Sequence, residues 1–502
     1  MKNQLLLLLG LSFLGTTLFY GEVFGINLLV SGVLFAMLMA WKNQETGHRV
    51  RWWLSIGLVI ASGIGGVWHG SNLAFIGLLV GLLLLGTLTI APRLSVLWSF
   101  LTGLVSAVLA PFTLFAQFNA LQKKQLASPA AKIGLSTTGI LVFLLAPTVI
   151  GLLFLALYRS SNPAFATLIE HFEFNFWSWG HTFFTLLIFT LISGLWFPRL
   201  KGRLVRIDRL ANNRLNPRLF SGKASFSFFQ LHQEMWFGVF LLVLLNFLLL
   251  LVNLTDAIFW LGDRALPGGV SYMELVHEGV GTLMMSIVLV ILILLFFFKG
   301  ELNFFRQNLW LKGLAYVWMF QNLLLIGFTM ARNFQYIEAL GLTYKRIGVM
   351  VWLLLAIIGF ALMFWKVVER KSTWFLIRRF SEAALVCLLL ASVVDWTNLV
   401  TRYNLHAAEV KQEMPDWRYL RQIGPGNLAQ IAAHAQRHNA IHDPLYVSST
   451  YVTNLAHTLD NDLFLTGWPS WSVNAHSNRT IAEEILEDAY PTGVQPAISA
   501  RP

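Results

Sequence analysis

The sequence is poor in charge and in cysteine. Only 12% of its 502 residues are Asp, Glu, Lys or Arg, whereas soluble domains carry about 25%. The single cysteine, Cys387, excludes an intramolecular disulfide framework and a cysteine metal cluster. The sequence has no internal repeat, P-loop, dinucleotide fingerprint or kinase signature. It also offers no Ser/His/Asp or Cys/His set, so we expect no cofactor, no metal site and no assignable catalytic residue.

The sequence is rich in long apolar runs instead. Hydrophobic residues make up 56% of the chain and the mean hydropathy is +0.63. A helix needs about 17–25 apolar residues to cross a bilayer, and Leu, Phe, Ile and Val form twelve such candidates. The runs lie near residues 5–20, 26–41, 52–68, 72–90, 95–118, 134–157, 178–197, 236–260, 276–298, 309–330, 347–366 and 380–399. This pattern predicts an all-α, polytopic transmembrane helix bundle of about twelve spans.

Two features of the chain ends remain to be interpreted. Lys2 followed by the run at residues 5–20 resembles a signal peptide, but no small-residue cleavage site follows, which favours a retained helix. After Leu399 the composition becomes polar. We therefore predict a transmembrane helical domain over residues 1–399 and a small soluble C-terminal segment over residues 400–502.

Basic residues are concentrated in a few loops, and the net charge is +11. In a membrane protein such loops mark the cytoplasmic side and contact anionic lipid headgroups, so we expect a lipid partner and no nucleic acid. The strongest case is the loop at residues 198–234, with Arg199, Lys201, Arg203, Arg206, Arg209, Arg214, Arg218 and Lys223. Counting runs from there puts residues 400–502 outside the cytoplasm. The same count makes the basic loop at residues 42–51 external, which is a conflict of parity.

A polar cluster begins the ninth apolar run, at Tyr272, Glu274, His277 and Glu278. Spacings of three and four residues place the last three on one helical face. Glu-x-x-His is also found at di-metal centres, but the second such motif that these centres require is missing. The two carboxylates suit a helix N-terminus, where the helix dipole favours negative charge. A proton or cation relay remains an alternative.

A second cluster follows the tenth run and contains Arg332, Tyr336 and Arg346. Consecutive spans are usually neighbours, and an unpaired charge at membrane depth is costly. We therefore expect Glu274 to pair with Arg332 or Arg346 in a structural polar lock. Two sets of isolated polar residues have simpler interpretations: interhelical hydrogen bonds for Asn246, Asn253, Gln321 and Asn322, and a membrane interface for Asp395 beside Trp396.

Several short segments resemble a bacterial family of uncharacterised polytopic inner-membrane proteins, a domain of unknown function. They are Leu18-Phe19-Tyr20-Gly21 with Gly25-Ile26-Asn27, Asn162-Pro163-Ala164-Phe165, Tyr272-x-Glu274-x-Val276-x-x-Gly279, Arg332-x-x-x-Tyr336-Ile337, Gly341-Leu342-Thr343-x-x-Arg346, Asp395 with Asn398, Arg402-Tyr403-Asn404, Asp416-x-x-Tyr419-Leu420 and Trp468-Pro469-Ser470-Trp471. The resemblance spans about residues 15–485. His277 and Glu278 stand where relatives carry a basic residue. The resemblance implies this architecture and a bacterial inner membrane, but no reaction.

Three functions remain open. The first is a non-catalytic integral membrane protein with a sensory, scaffolding or envelope-related role. The second is a secondary transporter or channel-like protein, although repeat symmetry and paired broken helices are not evident in the sequence. The third is a lipid-modifying membrane enzyme, for which Glu274, Glu278 and Arg332 are the available polar groups.

Overall fold

The computed structural model describes residues 2–42, 50–110, 179–198, 203–216, 230–261, 272–298, 300–305, 307–428, 430–431, 434 and 467–489. This part of the chain is helical and contains no strand, which confirms the all-α class. We number its helices α1 Lys2–Phe19, α2 Ile26–Lys42, α3 Val50–His69, α4 Asn72–Ile90, α5 Val96–Ala110, α6 Trp179–Trp196, α7 Arg203–Leu210, α8 Leu231–Leu261, α9 Tyr272–Phe297, α10 Leu309–Leu340, α11 Tyr344–Val368, α12 Thr373–Val393, α13 Trp396–Lys411, α14 Trp417–Gln422 and α15 Val473–Ala489.

Five of the described helices are long and apolar enough to cross a membrane: α3, α4, α8, α10 and α11. Helices α12 and α13 meet at an angle of 67° and together have the length and composition of a sixth candidate, either a broken span or a re-entrant loop. The chain is therefore a helical membrane protein. The predicted total of about twelve spans is not confirmed, and the run at residues 134–157 lies outside the described residues.

Helix α3 is the centre of the first of two hydrophobic cores. This core contains residues of helices α1, α2, α3, α4 and α6, together with Leu385 of α12. Small residues let the neighbouring backbones approach α3 closely, as is common in membrane bundles. A methyl group at Gly66 would lie 2.7 Å from the carbonyl oxygen of Gly25, and one at Gly65 would overlap the carbonyl oxygen of Ser392. The glycines of α3 therefore set how near α2 and α12 can lie.

The second core contains residues of helices α8, α9, α10 and α11, together with Leu376 of α12. Buried amides connect α8 to α10 within it. Asn253 donates to the carbonyl of Gln321 at 3.0 Å, and the Gln321 amide donates to the side-chain oxygen of Asn246 at 3.1 Å. The predicted interhelical hydrogen bonds are confirmed at these three residues, whereas Asn322 bonds within its own helix. Because α12 contributes to both cores, it joins the two helix groups.

One end of the bundle, which we call the basic end, collects the basic loops of the chain. Lys42 donates to the carbonyl of Trp196, and Arg51 donates to the carbonyl of Leu94 at 3.1 Å and to Glu382 at 2.7 Å. Asp208, buried, accepts from Arg378 and from the backbone of Ser95, so the loop at residues 198–234 begins at this same end. The loops at residues 42–51 and 198–234 therefore meet at one end of the bundle, in conflict with the odd number of runs predicted between them, of which the run at residues 134–157 lies outside the described residues.

The opposite end, which we call the polar end, is where α12 stops and α13 begins. The break lies at Val394 and Asp395, and the Asp395 side chain accepts the backbone N–H of Asn398 at 3.0 Å as the cap of α13. The indole of Trp396 donates to the carbonyl of Ala391 at 2.9 Å, which satisfies a carbonyl that the break leaves open. Helix α13 continues across residues 399 and 400. The predicted division into 1–399 and 400–502 stays a prediction.

We predict that Gly65→Ala destabilises the protein by about 1–3 kcal/mol, because the added methyl group forces α3 and α12 apart. The measurement is the midpoint of thermal unfolding of the purified protein in detergent. Gly327→Ala in α10 is the matched control, since nothing lies within 4 Å of a methyl group there. Equal midpoints for the two variants would contradict close packing at Gly65.

Candidate functional site

The first predicted polar cluster lies on the opening turns of α9. Tyr272, Glu274, His277 and Glu278 are helical there, so the shared face expected from their spacing exists. Their side chains lie outside the described residues. The pairing of Glu274 with Arg332 or Arg346 therefore stays a prediction.

Arg332 has a partner that the sequence analysis did not single out. Its guanidinium pairs with Asp256 of α8, and both side chains are largely buried, with 18% and 15% of their surface exposed. Asp256 stands inside an apolar run close to its end, which was the available signal. This largely buried ion pair links α8 to α10 and leaves less of Arg332 for a substrate.

Arg346 and Tyr336 meet at the C-terminus of α10. The Arg346 guanidinium lies 4.2 Å from the ring centroid of Tyr336, and it donates to the carbonyls of Leu340 and Gly341. A cation at the C-terminal carbonyls of a helix is favourable because the helix dipole is negative there. Arg346 therefore caps the C-terminus of α10. The two arginines considered as partners of Glu274, Arg332 and Arg346, thus contact different parts of the bundle.

The side-chain amide of Asn404 links the segment after α10 to α13. Asn404 accepts the backbone N–H of Leu342 at 2.6 Å and donates to the carbonyl of the same residue at 2.9 Å. Gly341 has a φ of 81°, which glycine adopts most easily, and a methyl group there would lie 2.6 Å from the Asn404 oxygen. Two of the segments that carry the family resemblance thus contact each other directly.

Two tyrosines connect the next pair of segments. Tyr419 accepts the backbone N–H of Tyr344 at 2.9 Å, and the Tyr344 hydroxyl lies 2.6 Å from that of Thr397. Burial raises the pKa of the Tyr419 phenol above its ordinary value, so this hydroxyl stays protonated at neutral pH. Helices α11, α13 and α14 therefore meet through neutral hydrogen bonds.

The loop between α1 and α2 joins the Trp-Pro-Ser-Trp segment at the same end. Ser470 accepts the backbone N–H of Val23 at 2.8 Å and also contacts Glu22, while Ile26 donates its N–H to the carbonyl of Trp471 at 2.9 Å. Asn27 is fully buried and holds the loop by bonding to its backbone. Residues more than 440 positions apart are thus brought together.

A polar cavity of about 530 Å³ lies where these segments converge. Its lining includes the end of α3, the start of α4, the start of α13 and the start of α15. The polar lining side chains are His69, Ser71, Asn72, Tyr344, Asp395, Thr397, Ser470, Ser472, Asn474 and Asn478. Most of these groups are hydroxyls and amides, which both donate and accept hydrogen bonds.

Asp395, His69 and Tyr344 are the ionisable groups in the described lining of this cavity, and Asp395 lies within electrostatic range of the other two. Asp395 accepts three hydrogen bonds, from the backbone and side chain of Asn398 and from the side chain of Asn474. His69 accepts the backbone N–H of Ser71 at 3.3 Å through Nδ1. The carboxylate therefore links α13 to α15 and lies beside the histidine at the end of α3.

The sequence analysis missed this cavity because its residues come from six separate segments of the chain. It assigned Asp395 to a membrane interface and gave His69 no role. The usable signal was the family resemblance, since Asp395, Asn404 and Tyr419 belong to motifs that the structure brings to the polar end.

We predict that Arg332→Gln and Asp256→Asn each destabilise the protein by about 3–5 kcal/mol, because each leaves an unpaired charge near membrane depth. The double variant is expected to lose less than the sum of the two single losses. Thermal unfolding in detergent measures all three. A second cycle of Arg332→Gln with Glu274→Gln tests the other pairing. Additive losses with Asp256 would mean that the ion pair contributes nothing.

The comparison with known protein families gives one match. Residues 62–434 match the model of a family described as a domain of unknown function, DUF4153. No curated protein and no solved structure matches. The matched range includes Asp395 and Asn404 of the polar end, whereas the loop before α2 and the Trp-Pro-Ser-Trp segment lie outside it. Because the match covers about three quarters of the chain, this membrane protein belongs to the DUF4153 family.

Proposed function

We propose that this protein is a non-catalytic, multi-pass protein of the bacterial inner membrane that binds an uncharged, hydroxyl-rich ligand at its polar end. Binding there would serve a sensory or envelope-related role. The observation that carries the proposal is the polar cavity of about 530 Å³, built from segments that are far apart in the sequence. Its size falls within the range of small-molecule sites.

The chemistry of the lining supports an uncharged ligand. None of its described residues is Lys or Arg, so a phosphate or carboxylate would find no permanently charged cation there. Hydroxyls and amides suit a sugar or polyol, whose hydroxyl groups also donate and accept. Phe24, Tyr344 and Trp396 add apolar faces against which ring carbons can pack.

The hydrogen bonds of Asp395 support binding over catalysis. A general base must reach a proton of its substrate, whereas both Asp395 oxygens already accept bonds from Asn398 and Asn474. Arg332, which the sequence offered for an enzyme, is paired with Asp256. These contacts favour the non-catalytic reading.

The distribution of charge supports an external polar end. Lys42, Arg51, Arg214, Lys371 and Arg378 all lie at the basic end, and basic loops are retained in the cytoplasm. In this orientation the basic end contacts anionic headgroups of the inner leaflet, and the polar cavity opens to the other side.

We predict that a membrane-impermeant maleimide labels Glu413→Cys in intact cells but labels Leu215→Cys only after the membrane is opened. Both variants are made with Cys387→Ser, which removes the single native thiol. Residue 413 follows α13 at the polar end, and residue 215 lies in the basic loop. The reverse pattern would overturn the orientation.

The bend between α12 and α13 supports a second function, secondary transport. Discontinuous helices form the substrate sites of many transporters, and Asp395 and Trp396 lie at this 67° break and line the cavity. Accumulation of a ligand inside proteoliposomes against its gradient would favour transport. Saturable binding without accumulation would favour the non-catalytic receptor.

We predict that methyl glucoside binds to the protein in phospholipid nanodiscs and that Asn72→Leu weakens the binding about tenfold, through loss of one or two hydrogen bonds. Asn72 is exposed and lines the cavity. Saturation-transfer NMR is the measurement. Gln422→Leu, on an exposed position of α14 outside the lining, is the matched control. Equal signals for Asn72→Leu and the control would refute the site.

A further inference from the structure

A second cavity, of about 560 Å³, lies beside the polar one. It lies between the pair of helices α1 and α6 and the pair α2 and α4. Apart from Gly15, Glu22 and Ser31, its described lining residues are all Leu, Ile or Phe. We call it the apolar cavity.

The two cavities share one side chain. Phe24 lines both, and its ring stacks on that of Phe75 with centroids 4.3 Å apart. Phe75 faces the apolar cavity only. The stacked rings of Phe24 and Phe75 therefore lie where a space lined by hydrocarbon meets a space whose lining also carries hydroxyl and amide groups.

The apolar cavity extends from the polar end deep into the bundle. On α1 its lining runs from Phe19 back to Leu11, and eight steps of 1.5 Å give about 12 Å. On α6 the lining reaches Leu195, which is next to Trp196 at the basic end. Half of a hydrocarbon layer of roughly 30 Å is about 15 Å, so the cavity is long enough for an acyl chain of the leaflet at the polar end.

Selectivity must come from the headgroup, because lipid chains are as apolar as leucine and gain little from leaving the bilayer. Glu22 lies at the apolar cavity and Asp395 in the polar one, and neither described lining contains Lys or Arg. This charge disfavours an anionic phospholipid and accepts an uncharged headgroup rich in hydroxyls.

We propose that the two cavities form one site for a glycolipid, with an acyl chain in the apolar cavity and an uncharged sugar headgroup in the polar cavity. The inference rests on the proposed function and names its ligand as a membrane lipid rather than a free sugar. Phe24 then packs where the chain meets the headgroup.

The test uses the full chain purified in a detergent without a sugar headgroup. Monoglucosyl diacylglycerol and phosphatidylglycerol with matched acyl chains are added in equal amounts, and native mass spectrometry counts the lipid that each protein retains. Leu34→Trp fills the apolar cavity, and Leu79→Phe is a milder filling variant. Leu248→Trp, on an exposed position of α8, controls for the added bulk. Asn72→Leu and Gln422→Leu probe the headgroup end.

We expect the wild type to retain the glycolipid over the phospholipid. Asn72→Leu and at least one filling variant should lower its retention about tenfold, while Leu248→Trp and Gln422→Leu retain it as the wild type does. Loss with Asn72→Leu but full retention with both filling variants would overturn the lipid site and leave sugar binding intact. Equal retention of the glycolipid and the phospholipid by the wild type would also overturn the lipid site. In that case, the binding of methyl glucoside decides whether the proposed function fails too.

Discussion

The close approach of backbones around α3 is the constraint on which the rest of the structure depends. Gly65 and Gly66 leave room for the carbonyls of Ser392 and Gly25, so α12 and α2 lie directly against α3. Without a hydrophobic drive between helices inside a bilayer, such packing is a main source of stability. Ser392 lies in the last turn of α12, so this contact also holds the end of α12 that precedes Asp395 and the polar cavity.

The polar end is held together mainly by hydrogen bonds in which side chains satisfy backbone groups that lack a helical partner. Asn404 satisfies both backbone groups of Leu342, Tyr419 accepts from Tyr344, and Ser470 accepts from Val23. Arg346, on the carbonyls of Leu340 and Gly341, adds a charged contact of the same kind. At the basic end, guanidinium groups contact both carboxylates and carbonyls, as Arg51 does with Glu382 and Leu94.

The two cavities are the physical starting point for function in this protein. A space whose lining carries hydroxyl and amide groups touches a space lined mainly by Leu, Ile and Phe, and Phe24 belongs to both. An amphiphile fits such a pair better than a wholly polar or wholly apolar molecule. The break between α12 and α13 lies at the polar space, so a bound headgroup would contact the joint of the bundle.

The sequence by itself determined the all-α class, the membrane setting and the family, because hydropathy and short motifs are local properties. It also predicted the interhelical role of Asn246, Asn253 and Gln321, since buried amides in lipid need partners. It did not predict the partner of Arg332, because Asp256 lies far from Arg332 in the sequence and belongs to no motif that singles it out. The meeting of the two basic loops at one end and the formation of the polar cavity were decided by the tertiary structure alone. Both depend on which helices are neighbours, and helix packing is a long-range property that no single apolar run contains.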